Sequence, residues 1–180
     1  QIENGLVHYR DAFGEGTDVM HRVTTEGTVD YVSFANAPAE AKLSYKVSLG
    51  KEIAGLRLIS NTLEFVDANG APRLRVNPPA GVDAHGNTFA AHLAVNDCAV
   101  DSDPRAPWGR PVTRPGGSIC TVSVTWDSSI AYPATIDPAW VTGASMAQNN
   151  ISHEMAMAKL SGGKVLVANS GPSTQLFDPS

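Results

Sequence analysis

"CTVSVTW", residues 120–126, alternates without a break: Cys120, Val122, Val124 and Trp126 point one way, Thr121, Ser123 and Thr125 the other. A period of two belongs to a strand with one face on a core and one in solvent. "KLSYKVSL", residues 42–49, repeats the pattern, with Leu43, Tyr45, Val47 and Leu49 set against Lys42, Ser44, Lys46 and Ser48. Further strands are read at "LVHY" (6–9), "VMHRVT" (19–24), "VDYVSF" (29–34), "AGLRLIS" (54–60), "LEFVD" (63–67), "RLRV" (73–76) and "TFAAHLAV" (88–95). Turn residues separate them at "ANAP" (35–38), "DANGAP" (67–72) and "NPPAGVDAHGN" (77–87). Asn69-Gly70 accepts positive φ cheaply, so Asp67–Gly70 reads as a tight hairpin loop. The nearest approach to a helical stripe is Met146, Asn150, His153, Met157 and Leu160. Short strands punctuated by turns, in a chain with 16 glycines and 12 prolines, predict an all-β protein, an antiparallel β-sandwich.

The bulk numbers fit that class. A chain of 180 residues that is 42% hydrophobic and 17% charged can bury a core of its own. Its net charge of −5 is the wrong sign for nucleic acid or an anionic membrane. It contains no run of roughly 18 apolar residues, so no helical membrane span is expected. "YPATIDPAW", residues 132–140, reads as a boundary, because its two prolines would interrupt strand pairing. The expected domains are therefore 1–139 and 140–180.

Cys98 and Cys120 frame "CAVDSDPRAPWGRPVTRPGGSIC", a turn-rich loop. An even pair around such a loop predicts a disulfide, worth roughly 3 kcal/mol by loop entropy; two buried thiols are the alternative. Neither cysteine has metal-ligand spacing to a second Cys or a His. Inside the loop, Trp108 lies between Arg105 and Arg110 and could stack on a sugar or grip a protein. Alternatively it folds back over the disulfide. Asp97, Asp101 and Asp103 are the one calcium candidate, although they lack the glycine and closing glutamate of an EF-hand and suit ordinary turns equally.

The catalytic motifs are incomplete. His153-Glu154 opens a zinc-protease pattern, but Met157 stands where the second histidine is needed. His8, His21, His85 and His92 have no partner nearby in sequence. No Gly-x-Ser-x-Gly, phosphate loop or dinucleotide fingerprint occurs. No catalytic residue and no cofactor are expected.

The tail "WVTGASMAQNNISHEMAMAKLSGGKVLVANSGPSTQLFDPS" resembles a Kelch-type propeller repeat of the galactose-oxidase-like kind. The matching positions are Trp140, Thr142-Gly143, Ser145-Met146, His153, Gly163–Val167 and Phe177-Asp178-Pro179. Where that pattern has a glycine pair, this chain has Ala168-Asn169-Ser170-Gly171. The resemblance implies a C-terminal Kelch-like β-hairpin appended to the sandwich. A single blade cannot close a ring of about four to eight, so its strands are expected to pair elsewhere. Residues 6–139, through "VHYRDAFGEGTDVMHRV", "LEFVDANGAPRLRVNPPAGVDAHG" and "VSVTWDSSIAYPATIDPAW", are similar to the β-rich domain that precedes repeat arrays in large bacterial surface and wall-associated proteins. That likeness implies a secreted or cell-surface location and brings no catalytic residues.

The expected function is structural: a non-enzymatic module that assembles by strand pairing, as a homo-oligomer or with another extracellular protein. The alternatives are a glycan-binding or adhesive module using the Trp108 loop and, further off, a fragment of a secreted hydrolase.

Overall fold

The stretch 120–126 becomes the middle of a three-stranded sheet in the computed structural model of the chain. The structure describes residues 2–3, 6–25, 27–107 and 109–142, and the tail strands 155–159, 165–169 and 174–177. The strands are β1 (Ile2–Glu3), β2 (Leu6–Tyr9), β3 (Thr17–Val23), β4 (Gly27–Phe34), β5 (Lys42–Ser48), β6 (Gly55–Ile59), β7 (Thr62–Val66), β8 (Pro72–Val76) and β9 (Ala80–Val82). They continue with β10 (Thr88–Ala90), β11 (His92–Asn96), β12 (Ile119–Thr125), β13 (Ala134–Asp137), β14 (Ala139–Thr142), β15 (Met155–Lys159), β16 (Val165–Asn169) and β17 (Thr174–Phe177). The described residues are all-β, as the alternation predicts, and every ladder between these strands is antiparallel.

Two sheets build a sandwich-like core. The small sheet runs β11-β12-β5, and the large one β1-β2-β3-β4-β14-β8-β7-β6. The inward residues Cys120, Val122, Val124 and Trp126 are all buried, and so are Val32 and Phe34 of β4 and Leu63 and Phe65 of β7 opposite them. Each such side chain contributes roughly 1.5–3 kcal/mol on leaving water. Rings lock the layers together: Phe34 meets Trp126 at 5.4 Å between centroids, and Trp140 meets Tyr45 at 5.7 Å and Phe65 at 6.2 Å. Both tilted and edge-on pairs of this kind add to burial.

Prolines divide the large sheet without ending it. β4 pairs with β13 along one half and with β14 along the other, and Pro138 sits at the joint. β13 continues to β9 and β10, while β14 continues to β8, β7 and β6. The stretch read as a boundary, 132–140, is thus part of the sheet's centre. Proline lacks an N–H for the ladder, but a joint between two strands needs none, and the Pro138 carbonyl still accepts the Asp30 N–H at 3.4 Å. The compact units divide between Gly143 and Ala144 rather than at 139/140. Trp140, a landmark of the Kelch resemblance, stands on β14 in the first unit.

"TFAAHLAV" forms two strands instead of one. β10 lies in the large sheet and β11 in the small sheet, with buried Ala91 at the crossing. A corner where a strand changes sheets leaves the alternation nearly intact, which is why one run was read.

Two hairpin loops share one design. In "DANGA" (67–71) the Asp67 carboxylate accepts the N–H groups of Asn69 (2.8 Å) and Ala71 (3.0 Å); in "DAHGN" (83–87) Asp83 accepts those of His85 (2.9 Å) and Asn87 (2.8 Å). Gly70 and Gly86 take φ of +79° and +78°, a conformation glycine adopts without strain. Burial raises the Asp67 carboxyl, but these N–H groups and Arg73 outweigh it and hold it below the ordinary range.

In the second unit β15, β16 and β17 pair as a three-stranded antiparallel sheet, one strand more than the hairpin read from sequence. His153 and Glu154 lie outside the described residues.

Candidate functional site

Strand edges expose unpaired backbone groups, so each edge raises the question of what covers it. The outer edge of β6 is covered by one residue of the 98–120 loop. Asp101 donates its N–H to the Leu56 carbonyl and accepts the Leu58 N–H, both at 2.9 Å. Charged side chains fasten that contact. Arg57 Nη1 and Arg75 Nε donate to the two oxygens of Glu64 at 2.9 and 3.0 Å. Arg57 Nη2 donates on to the carbonyls of Asp103 and Arg105 in the loop, at 3.4 and 3.2 Å. Glu64 keeps 12% of its side-chain surface exposed, so this is a largely buried ion triad.

The sequence-singled loop residues belong to this brace. Arg110 donates to Asp101 at 2.5 Å and Arg105 to Asp103 at 2.5 Å, while Asp97 accepts the Thr121 hydroxyl at 2.7 Å. Burial raises the Asp101 carboxyl, but Arg110 and the Asp103 N–H outweigh it and hold it low; Arg105 holds Asp103 low. The three aspartates are thus each engaged within the chain, Asp101 and Asp103 sharing Arg110, and among the described residues no group of three or more His, Cys, Asp or Glu could hold a metal ion. Cys98 and Cys120 form a disulfide with Cα atoms 5.4 Å apart, closing the loop at its base. Trp108 lies outside the described residues.

The edge of β11 is covered at its start, Ala91 to Leu93, by an amide side chain. Asn61 donates its Nδ2 to the Ala91 carbonyl and accepts the Leu93 N–H on Oδ1, both at 2.7 Å. One side chain thus reproduces the two bonds of a paired strand. It is aimed by a two-residue turn, Ser60-Asn61, with φ of 47° and 63°. Two positive φ values mark the hairpin turn that matches strand twist, and asparagine tolerates them. The reading of "AGLRLIS" and "LEFVD" as strands left Asn61 between them, which was the available signal.

β5 differs from both. Among the described strands it pairs with β12 alone. The small sheet spans from the β6–β7 turn, where Asn61 reaches β11, to β14, where Trp140 meets Tyr45 of β5. Beyond β5 the large sheet continues into β3, β2 and β1. The pairing register puts Val7, Tyr9, Val19, His21 and Val23 on the same face of that extension as core residue Val32. Tyr9 is 54% exposed and Val23 68%, and Phe13 on the connecting loop is 56% exposed. Apolar side chains on an inward-turned face with that much water indicate a strip that the sandwich does not cover.

Polar groups of β3, β5 and β13 bond to the Asp30 carboxylate of β4 or feel its charge. His21 Nδ1 and Asp30 Oδ1 are 2.5 Å apart. The Tyr45 hydroxyl is buried without a hydrogen-bond partner, and so is Oδ1 of Asp137. Burial, then the Asp30 charge, pushes the Tyr45 hydroxyl up, and the same two causes raise the Asp137 carboxyl. The sequence reading gave His8 and His21 no partner nearby in sequence; β2 pairs with β3 and puts His8 and His21 on adjacent strands. That reading missed that each histidine meets an aspartate, His8 with Asp18 at 2.8 Å and His21 with Asp30.

Among the described residues no helix is long and apolar enough to cross a membrane. The Cys98–Cys120 disulfide is consistent with an extracellular or other oxidising environment. The chain matches no protein-family model, no curated protein and no solved structure.

Proposed function

We propose that the chain is a non-catalytic structural module of the cell surface or secreted space, which accepts an extended strand from another polypeptide, a second copy or a different protein. The observation that carries this reading is the unpaired β5 edge beside the uncovered strip of β2 and β3. A strand added at β5 would sit about 4.8 Å from it, and its alternate side chains would drop onto the strip. Main-chain hydrogen bonds supply affinity in this mode, and the alternate side chains supply selectivity. In the small sheet Asn61 caps the start of β11, whereas β5 has no such contact along its outer edge among the described residues. The disulfide supports the extracellular placement, and the likeness to surface-protein domains agrees with it.

The test is a magnetic-resonance titration of the full chain with peptides that alternate apolar and polar residues. Shift changes concentrated at residues 42–48 and at Val7, Tyr9, Val19 and His21 are expected. Changes centred on the 98–120 loop, or no changes, would overturn the proposal.

A further inference from the structure

Resting on that reading of β5, we infer that the strand it takes comes from a different protein and alternates apolar with acidic residues. The three strands of the small sheet contain no aspartate or glutamate, although the chain as a whole has 18 acidic against 13 basic residues. Their charge is concentrated on the receptive strand. Lys42 and Lys46 stand on the outward face of β5, both exposed, with exposed Ser44 and Ser48 between and after them. Neither lysine takes part in an ion pair among the described residues. At the braced end of this unit the opposite holds: Arg57, Arg73, Arg75, Arg105 and Arg110 each meet a carboxylate.

Edge lysines repel an ordinary apolar strand and a second copy of themselves. Pairing β5 with the β5 of another copy would collect four lysines on one face, which cross-strand electrostatics disfavours. A strand with acidic residues at its outward positions reverses the sign. Each lysine then faces a carboxylate across a gap of about 5 Å, while the inward valine-like residues fill the strip at Val7, Tyr9 and Val23. Opposite charges directly across a ladder turn a protected edge into a selective one.

Three capped peptides of about seven residues, a typical strand length, separate the possibilities. All place Val inward; the outward positions are Glu, Thr or Lys. Binding to the full chain is read by fluorescence anisotropy at low and high salt. The Glu peptide is expected to bind about tenfold more tightly than the Thr peptide, with the gap closing at high salt, and the Lys peptide more weakly than either. The double substitution Lys42→Glu, Lys46→Glu is expected to invert the order. Lys42→Gln, Lys46→Gln, which adds no charge, is expected to abolish it. Equal binding of the Glu and Thr peptides, an order unchanged in both variants, or a concentration-dependent dimer whose β5 amides are protected would overturn the inference and leave strand addition standing. Failure of all three peptides to bind would remove strand addition with it.

Discussion

At β6 and β11 single residues reach across to cover a strand edge, Asp101 with its backbone and Asn61 with its side-chain amide. At β5 the strip of apolar surface and two lysines lie open, and the buried hydroxyl of Tyr45, on β5 itself, has no partner. Polar groups at the covered end are matched almost throughout, with Arg57 Nε the buried atom left over. Buried hydrogen-bonding atoms normally find partners, so the contrast separates a surface finished within the chain from one that is completed by something added.

Substitutions should therefore act with opposite sign at the two ends. Glu64→Ala leaves Arg57 and Arg75 without their shared counter-charge, and a loss of about 4 kcal/mol in urea unfolding is expected. Replacing Cys98 and Cys120 by Ala frees the 98–120 loop that supplies Asp101, at a cost of about 3 kcal/mol measured the same way. Asn61→Ala orphans the Ala91 carbonyl and the Leu93 N–H, for a loss of about 2 kcal/mol and faster exchange at Leu93. At the open end, Tyr45→Phe removes a hydroxyl that bonds to nothing, and a gain of about 1 kcal/mol in thermal or urea unfolding is expected.

Titration sharpens the same contrast with the smallest effect. Asp101 is held below its ordinary value of 3.8, so its share of stability is present above that pH and is lost as the pH falls through the folded value. Asp137 is raised above 3.8; the folded state holds its proton more tightly, and stability declines as the pH rises from 3.8 through the folded value. Asp137→Asn is therefore expected to be more stable than the parent at neutral pH and equal to it in acid. Asp101→Asn is expected to be less stable at neutral pH, with the difference shrinking in acid. Thermal melts across pH check both.

Much of this fold is legible in sequence because its signals are local. The alternation at 42–49 and 120–126 locates β5 and β12, and Asn69-Gly70 locates the first hairpin loop, while the turn read over 77–87 holds β9 as well as the second loop. Sheet membership is not local. "TFAAHLAV" keeps its period while changing sheets at Ala91, and the prolines of 132–140 stop a ladder only if they fall within it. The covering contacts were beyond reach for the same reason: Asn61 meets partners 30 and 32 residues away, and Asp101 meets β6 across a loop. The disulfide was readable because two cysteines framed one turn-rich segment. The open edge was not, since an edge is a property of the assembled sheet.

The most direct measurement is residue-resolved hydrogen exchange of the full chain, alone and with the acidic alternating peptide. Alternate amides of β5 are expected to exchange much faster than those of β12 and than Leu93, and to become protected when the peptide is present. Slow exchange along all of β5 in the free chain would contradict an open edge there.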